Sequence, residues 1–189
     1  LIVFDSPETF TVRQVYRAGQ LIAVDGEMLR WPEGQRRHQP VVRGSMNVDW
    51  DRVDFTIPAQ GRRLRVIGAV QDQIITEHLV LEATVIDGAA VADPTRDLAK
   101  MAVIERHHSS GHVGLGFIAH TGLRRGAMAG TVAHDHHNLV VIGADDVSMH
   151  TAARAVGAMK GGLAVALGDQ VLARLSLPVM GLMSDQPIA

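Results

Sequence analysis

Histidines are concentrated in one part of this chain. Seven of the ten histidines fall between positions 107 and 137, and six of them belong to two short polar segments. The first histidine segment, residues 105–112, reads Glu-Arg-His-His-Ser-Ser-Gly-His, and the second histidine segment, residues 134–138, reads His-Asp-His-His-Asn. Imidazole, carboxylate, hydroxyl and amide groups bind ligands and transfer protons, and rigid elements often present them on loops. We therefore expect the functional site here.

The second histidine segment could supply a general base or metal ligands. His134, Asp135 and His137 are the catalytic candidates, because a histidine beside a carboxylate is a common general base and the same groups bind metals. If the segment were a strand, His134 and His136 would share one face, and Asp135 and His137 the other. The alternative is a loop whose histidines only complete local hydrogen bonds.

The first histidine segment is a candidate for binding a substrate. Ser109, Ser110 and Gly111 can present backbone N–H groups to an anion or a ring nitrogen, and Glu105 could accept a proton. Asn138, from the second histidine segment, completes the candidate substrate-binding residues. The alternative is a solvated turn that follows a buried strand.

Short strands must position these groups, since each segment adjoins an apolar run, residues 101–104 and 139–142. Gly, Asp and Pro recur at short intervals along the chain, which predicts turns between short strands. One alanine-rich stretch, residues 147–159, favours a helix that ends at Gly161-Gly162. The pattern predicts an α+β fold with mostly antiparallel sheet and few helices. The candidate strands are residues 10–16, 21–24, 53–57, 63–70, 78–86, 100–105, 113–119, 127–133, 139–142, 163–167 and 170–175.

Composition excludes several functions. The net charge is −2 and no basic run exceeds a pair, so we expect no nucleic-acid partner. No apolar run reaches the roughly 20 residues that span a bilayer, so we expect no membrane partner. The absence of cysteine excludes disulfides and cysteine-ligated zinc and fits a reducing cytosol, so we expect a cytoplasmic protein.

Two glycines, Gly114 and Gly116, look like a fragment of a dinucleotide-binding fingerprint. The residues after them resemble a strand rather than a helix, and no third glycine follows at the required spacing. We interpret them as positions where another part of the backbone packs closely.

The chain is expected to contain two domains, residues 1–35 and 36–189. Residues 32–40 are polar and bracketed by prolines, which is typical of a linker. Residues 1–31 hold too few strands for a self-contained sheet, so we expect them to leave an exposed apolar face for material outside this chain. Because the sequence opens with Leu1 on an apolar run, we expect a piece of a longer polypeptide.

Several motifs, in order along residues 41–189, resemble the carboxy-terminal domain of bacterial adenine deaminase. Residues 10–29 are similar to the closing strands of the small β-sandwich that accompanies amidohydrolase barrels. The sandwich followed by the carboxy-terminal domain is also the order in that family. The motifs of the carboxy-terminal domain are residues 92–94, 102–107, 122–129, 131–143, 160–162 and 177–185.

The resemblance implies hydrolysis of adenine to hypoxanthine and ammonia by a metal-bearing (β/α)₈ barrel. A barrel of about 250 residues does not fit within this chain, so we expect the manganese or iron in a barrel of the same polypeptide and no metal site here. The chain would line the active site or stabilise a homo-oligomer, and alone it would be inactive. The family is expected to have a small residue where His136 stands, which makes His136 the least important of the three histidines.

Two other functions remain open. One is a stand-alone metal-binding module that uses His134, Asp135 and His137. The other is a structural or dimerisation module that never touches substrate.

Overall fold

The structure, a computed structural model, describes residues 1–29 and 46–186. The chain divides into two compact units, Leu1–Pro40 and Val41–Ala189, and each is described by itself. The predicted linker at residues 32–40 and the predicted boundary between residues 35 and 36 lie outside the described residues. The division into domains 1–35 and 36–189 therefore stays a prediction.

The first unit contains a four-stranded antiparallel sheet. Alternating polar and apolar residues predicted the strand at residues 10–16, and an apolar run predicted the strand at residues 21–24. Asp25 and Gly26, both with positive φ, form the turn after the third strand. Leu1, Ile2 and Phe10 are each more than half exposed, and what they pack against stays a prediction. The strands, in the order β1-β2-β3-β4, are β1 (Ile2–Phe4), β2 (Val12–Arg17), β3 (Gln20–Val24) and β4 (Glu27–Met28).

The strands of the second unit are β5 (Ile57–Pro58), β6 (Arg63–Ala69), β7 (Thr76–Glu82), β8 (Thr84–Ile86), β9 (Ala89–Val91), β10 (Leu98–Ile104), β11 (Val113–Ala119), β12 (Ala127–Gly130), β13 (Leu139–Gly143), β14 (Gly162–Leu167) and β15 (Gln170–Ser176). Eight of them form a large sheet with the order β15-β14-β12-β13-β10-β11-β6-β7, and the other three form a small sheet with the order β5-β9-β8. Neighbouring strands of the large sheet are antiparallel except β11 and β6, which are parallel. The predicted α+β class is confirmed.

Some predicted strands have other limits in the structure. Residues 53–57 are not one strand: a 3-10 turn at Trp50–Arg52 leads into extended chain, and only Ile57–Pro58 pairs. Instead of pairing, this stretch contributes two buried side chains, Val53 and Phe55, to the core. Residues 78–86 form two strands separated at residue 83, β9 was missed, and another 3-10 turn covers Pro94–Arg96.

The single helix of the described residues, α1 (Asp146–Ala158), lies one residue earlier than predicted. Asp145 caps it, accepting hydrogen bonds from the backbone N–H of Ser148 at 2.7 Å and from its hydroxyl at 2.8 Å. The helix packs on one face of the large sheet, where alanines on the strands allow a close approach. Four apolar residues of the helix are buried: Met149, Ala152, Ala153 and Val156. They share a core with the strand residues Ala127, Ala129, Leu139, Val141, Ala164 and Ala166.

A buried lysine joins the sheet to the start of α1. Lys100, on β10, is only 2% exposed, and its ammonium donates to the backbone oxygen of Phe55 at 2.8 Å. The same ammonium contacts both carboxylate oxygens of Asp146, at 2.7 and 2.9 Å. A buried charge of this kind is tolerated because it is fully paired.

Removing one partner of this pair should destabilise the fold more than removing both. We expect Asp146→Ala to lower the free energy of unfolding by about 2 kcal/mol, less than for a fully buried pair, because the Asp146 side chain is 44% exposed. Adding Lys100→Met should restore most of the loss. Urea denaturation measures both changes, with Glu77→Ala on the exposed strand β7 as the control. Equal losses in the single and double variants would contradict this account.

Candidate functional site

The pairing of β10 with β13 brings the two histidine segments together. These strands are antiparallel, and Ile104, the last residue of β10, lies opposite Leu139, the first residue of β13. The segment that follows one strand therefore meets the segment that precedes the other. The Nε of Arg106 donates to the backbone oxygen of His137 at 2.5 Å, and the Nε2 of His107 lies 3.3 Å from the backbone oxygen of His136.

The carboxylate of Glu105 holds the first histidine segment in shape. One of its oxygens accepts from the backbone N–H groups of His107 at 2.5 Å and His108 at 2.8 Å. The other accepts from the backbone N–H of Ser110 at 3.0 Å and from its hydroxyl at 2.9 Å. Burial by itself would raise the pKa of the Glu105 carboxyl, but these donors outweigh it and lower the pKa to about 2. Glu105 is therefore a weak proton acceptor and a strong anchor for the loop.

The rest of the first histidine segment is a tight turn. Ser109 and Gly111 have φ of 55° and 72°, and a side chain at Gly111 would place its Cβ 2.7 Å from the Cδ of Arg52. The guanidinium of Arg52 also donates to the backbone oxygen of Ser110 at 3.1 Å. The N–H of Ser110, one of the donors predicted for a ligand, is bound to Glu105 instead. The binding roles of Ser109 and Gly111 stay predictions.

The second histidine segment is a turn, so the hypothesis of alternating strand faces is wrong. The backbone N–H groups of His136 and His137 both donate to the oxygen of Ala133, at 3.1 and 2.6 Å, and His137 has a φ of 49°. The Nε2 of His134 lies 3.1 Å from an oxygen of Asp135, but these side chains are 92% and 80% exposed. Water therefore screens the pair, and it contributes little to stability.

His137 and Asn138 are the more enclosed members of the segment. The Nδ1 of His137 and the Oδ1 of Asn138 are buried, and neither has a hydrogen-bond partner within residues 1–29 and 46–186. A buried polar atom without a partner costs about 1–3 kcal/mol, and an ordered water or a bound group is the usual partner of such an atom. By contrast, the Nδ1 of His136 accepts from the backbone N–H of Asn138 at 3.0 Å, which gives His136 a role within the turn.

Sequence reasoning missed the residues that support both segments. Arg106 is 1% exposed and, besides His137, binds the backbone oxygen of Met180 at 3.1 Å. Buried Thr131 donates to the oxygen of Gly181 at 2.5 Å and accepts from the N–H of Gly162 at 2.9 Å. Arg106 follows an apolar strand directly, and an arginine at the edge of a core is the one signal that could have identified it.

No metal centre forms among the side chains that the structure describes. In residues 1–29 and 46–186, no group of three or more histidine, aspartate or glutamate side chains is placed to hold an ion. A stand-alone metal site at His134, Asp135 and His137 gains no support from this geometry. None of the described helices is long and apolar enough to cross a membrane.

Comparison with known proteins identifies the family. Residues 73–189 match the family described as the adenine deaminase C-terminal domain, and the chain belongs to it. The resemblance inferred from the motifs is confirmed.

Three relatives show the extent of the match. The adenine deaminase of Desulfatibacillum aliphaticivorans is 43% identical over the whole chain, and that of Methanothrix thermoacetophila is 40% identical over the same span. The adenine deaminase of Oleidesulfovibrio alaskensis is 58% identical over 70% of the chain. The matched parts are 33%, 32% and 23% of these three relatives, respectively. The chain thus spans about a third or less of the relatives that it matches.

Proposed function

We propose that this chain is the carboxy-terminal part of an adenine deaminase, a hydrolase that converts adenine to hypoxanthine and ammonia. The family match and the names of the relatives support this proposal, and the chain's share of their length implies that other parts of the enzyme contribute most of the chemistry. The enzyme would act in adenine catabolism. A cytoplasmic location is part of the proposal and agrees with the cysteine-free composition.

The metal of such an enzyme would be bound elsewhere in the same polypeptide. The described side chains do not converge on a metal position, so they do not fit the manganese or iron that the family implies. We propose that an amidohydrolase barrel supplies the metal ligands and that the present chain adds contacts to the substrate.

The unpaired atoms of His137 and Asn138 carry the proposal for this chain's own role. Adenine presents a hydrogen-bond donor, the exocyclic amine, beside an acceptor, the ring nitrogen N7, and an asparagine amide matches this pair. The Oδ1 of Asn138 has no partner in the described chain, and in the proposed complex a small shift of the turn uncovers this buried atom so that it accepts from the amine. His137 precedes Asn138 in the same turn, and in this proposal its imidazole binds or transfers a proton at the same edge of the purine.

His134 and Asp135 would contribute through proton transfer. In this role the carboxylate of Asp135, 3.1 Å from the Nε2 of His134, holds the imidazole in one tautomer. Since both side chains are largely exposed, the pair gains strength only when another part of the polypeptide covers the turn and excludes water. Glu105 would act indirectly, by keeping His107, Ser109, Ser110 and Gly111 in position.

The isolated chain provides the first test. Purified alone, the 189 residues should fold but form no hypoxanthine from adenine, even with added manganese or iron, because they hold no metal site in the part described. Circular dichroism monitors folding, and chromatography detects hypoxanthine against a heat-killed control. Hypoxanthine above that control would show that the present chain contains a complete active site. It would contradict the proposal that the metal ligands lie in another part of the polypeptide.

A further inference from the structure

The peptide group between His137 and Asn138 is held at both ends. Its oxygen, the backbone oxygen of His137, accepts from the Nε of Arg106 at 2.5 Å. Its N–H, which belongs to Asn138, donates to the Nδ1 of His136 at 3.0 Å. Because a peptide group is planar, its orientation sets the backbone angles on either side and therefore the directions in which the two flanking side chains leave the backbone. These side chains are the two whose buried polar atoms lack partners in the described chain.

The bond from Arg106 is the stronger of the two restraints. A guanidinium donor is charged, and charge-assisted hydrogen bonds are roughly twice as strong as neutral ones. Arg106 is buried, whereas His136 is exposed, so water competes only for the imidazole. His137 also has a φ of 49°, in the left-handed region that side chains other than glycine rarely adopt. A backbone in that region keeps its conformation only where surrounding contacts hold it.

Arg106 reaches the second histidine segment from a fixed base. Its own backbone oxygen accepts from the N–H of Asn47 at 2.8 Å, two residues beyond the end of β10. Its guanidinium also donates to the backbone oxygen of Met180 at 3.1 Å. The two oxygens that this side chain binds lie 31 and 74 positions further along the sequence. Arg106 therefore ties the turn that carries His137 to two other parts of the fold.

A glycine makes room for this guanidinium. Gly181 has a φ of 75°, and a Cβ there would lie 2.9 Å from one terminal nitrogen of Arg106 and 3.0 Å from its Cζ. The hydroxyl of Thr131 donates to the backbone oxygen of Gly181 at 2.5 Å and so fixes the glycine in place. Close packing was predicted for Gly114 and Gly116, but a Cβ at those positions would meet no atom nearer than 3.9 Å. The glycine whose close packing bears on the site is thus Gly181.

We propose that Arg106 is a positioning residue, which acts through the side chains of His137 and Asn138 without touching the substrate. This inference rests on the proposed function, in which those two side chains meet the purine. By holding the peptide group between them, Arg106 limits the turn to the small shift that substrate binding needs. Groups held in place in this way need not reorient during the reaction, and a misplacement of about 1 Å can cost about 100-fold in rate.

A double-mutant cycle in the complete polypeptide tests this role. Arg106→Lys keeps the positive charge but loses the planar fork that reaches two backbone oxygens. It should lower kcat/KM for adenine at least about tenfold in the wild-type background. In a His137→Ala/Asn138→Ala background it should lower kcat/KM less than about threefold, because the side chains through which Arg106 acts are gone. An arginine with a purely structural role would cause the same loss in both backgrounds.

Gly181→Ala displaces the guanidinium by a second route. The added methyl group would press on Arg106, so this variant should show the same dependence on background, even if Arg106→Lys does not fold. Gly88→Ala is the matched glycine control, because Gly88 has a φ of 79° and a Cβ there would meet no atom within 4 Å. Arg124→Lys is the matched arginine control. Arg124 also donates to a backbone oxygen, that of Pro94 at 2.7 Å, but it precedes β12, whereas the second histidine segment follows that strand.

Steady-state kinetics of each purified variant, corrected for the folded fraction by circular dichroism, provide the measurement. Both controls should keep the kcat/KM of the wild type. The inference is overturned if folded Arg106→Lys and Gly181→Ala keep it as well, or if either variant loses the same factor in both backgrounds. Those outcomes would leave the proposed function standing. A wild-type polypeptide that does not deaminate adenine would overturn the proposed function and this inference together.

Discussion

Replacing His137 with alanine in the complete polypeptide is expected to lower kcat for adenine at least tenfold, without loss of metal. His137 lies in the turn where two buried polar atoms lack partners, and positioned proton transfer typically contributes about 10²- to 10⁴-fold to a rate. His134→Ala should lower kcat in the same direction, because the proposed role of the Asp135 carboxylate is exerted through that imidazole. Steady-state kinetics and metal analysis of each purified variant provide the measurement.

His136→Ala is the matched control for both substitutions. His136 belongs to the same turn, but its Nδ1 already accepts from the backbone N–H of Asn138. Its replacement should change kcat much less. Full activity in both His134→Ala and His137→Ala would show that the second histidine segment is structural.

Replacing Glu105 with glutamine is expected to lower the free energy of unfolding by about 2 kcal/mol at neutral pH. The carboxylate accepts four hydrogen bonds from the first histidine segment, and charge-assisted bonds are the stronger kind. An amide would turn its NH₂ group towards N–H or O–H donors at one of the two oxygen positions. Urea denaturation of the 189-residue chain measures the effect, with Glu77→Gln on the exposed strand β7 as the control.

The pH dependence of this loss follows from the lowered pKa. The carboxyl has a pKa of about 2 in the folded chain against an ordinary value of 4.5, so the folded state binds fewer protons. Its stabilising contribution is complete above the ordinary value and disappears as the pH falls from about 4.5 towards 2. The difference between wild type and Glu105→Gln should therefore shrink over that range. A difference that is constant from neutral to acid pH would contradict the role of the ionised carboxylate.

The fold was predictable where local patterns determine the structure. Strand β11 has the predicted limits, and α1 is displaced by one residue, because apolar alternation and an aspartate cap act over a few positions. The stretch at residues 53–57 was misassigned because its apolar residues fill a core made by distant strands. The pairing order of the eight strands depends on such distant contacts, and no local pattern encodes it.

The sequence indicated which segments form the candidate site, but it could not indicate how their side chains are arranged. Clustered histidines singled out two segments, and the structure brings these segments into contact through Arg106 and the backbone of His137. The sequence could not show that the Glu105 carboxylate turns back on its own loop, since that depends on a turn with positive φ at Ser109 and Gly111. Nor could it separate exposed His134 from the more enclosed His137.

The central claim is that this chain completes an adenine deaminase whose metal site lies elsewhere in the same polypeptide. The most direct measurement compares hypoxanthine formation by the purified complete polypeptide and by the 189-residue chain, with the same adenine and metal. The account predicts steady turnover, with one ammonia released per hypoxanthine, by the complete polypeptide and none by the chain alone. A complete, metal-loaded polypeptide that leaves adenine unchanged would contradict it.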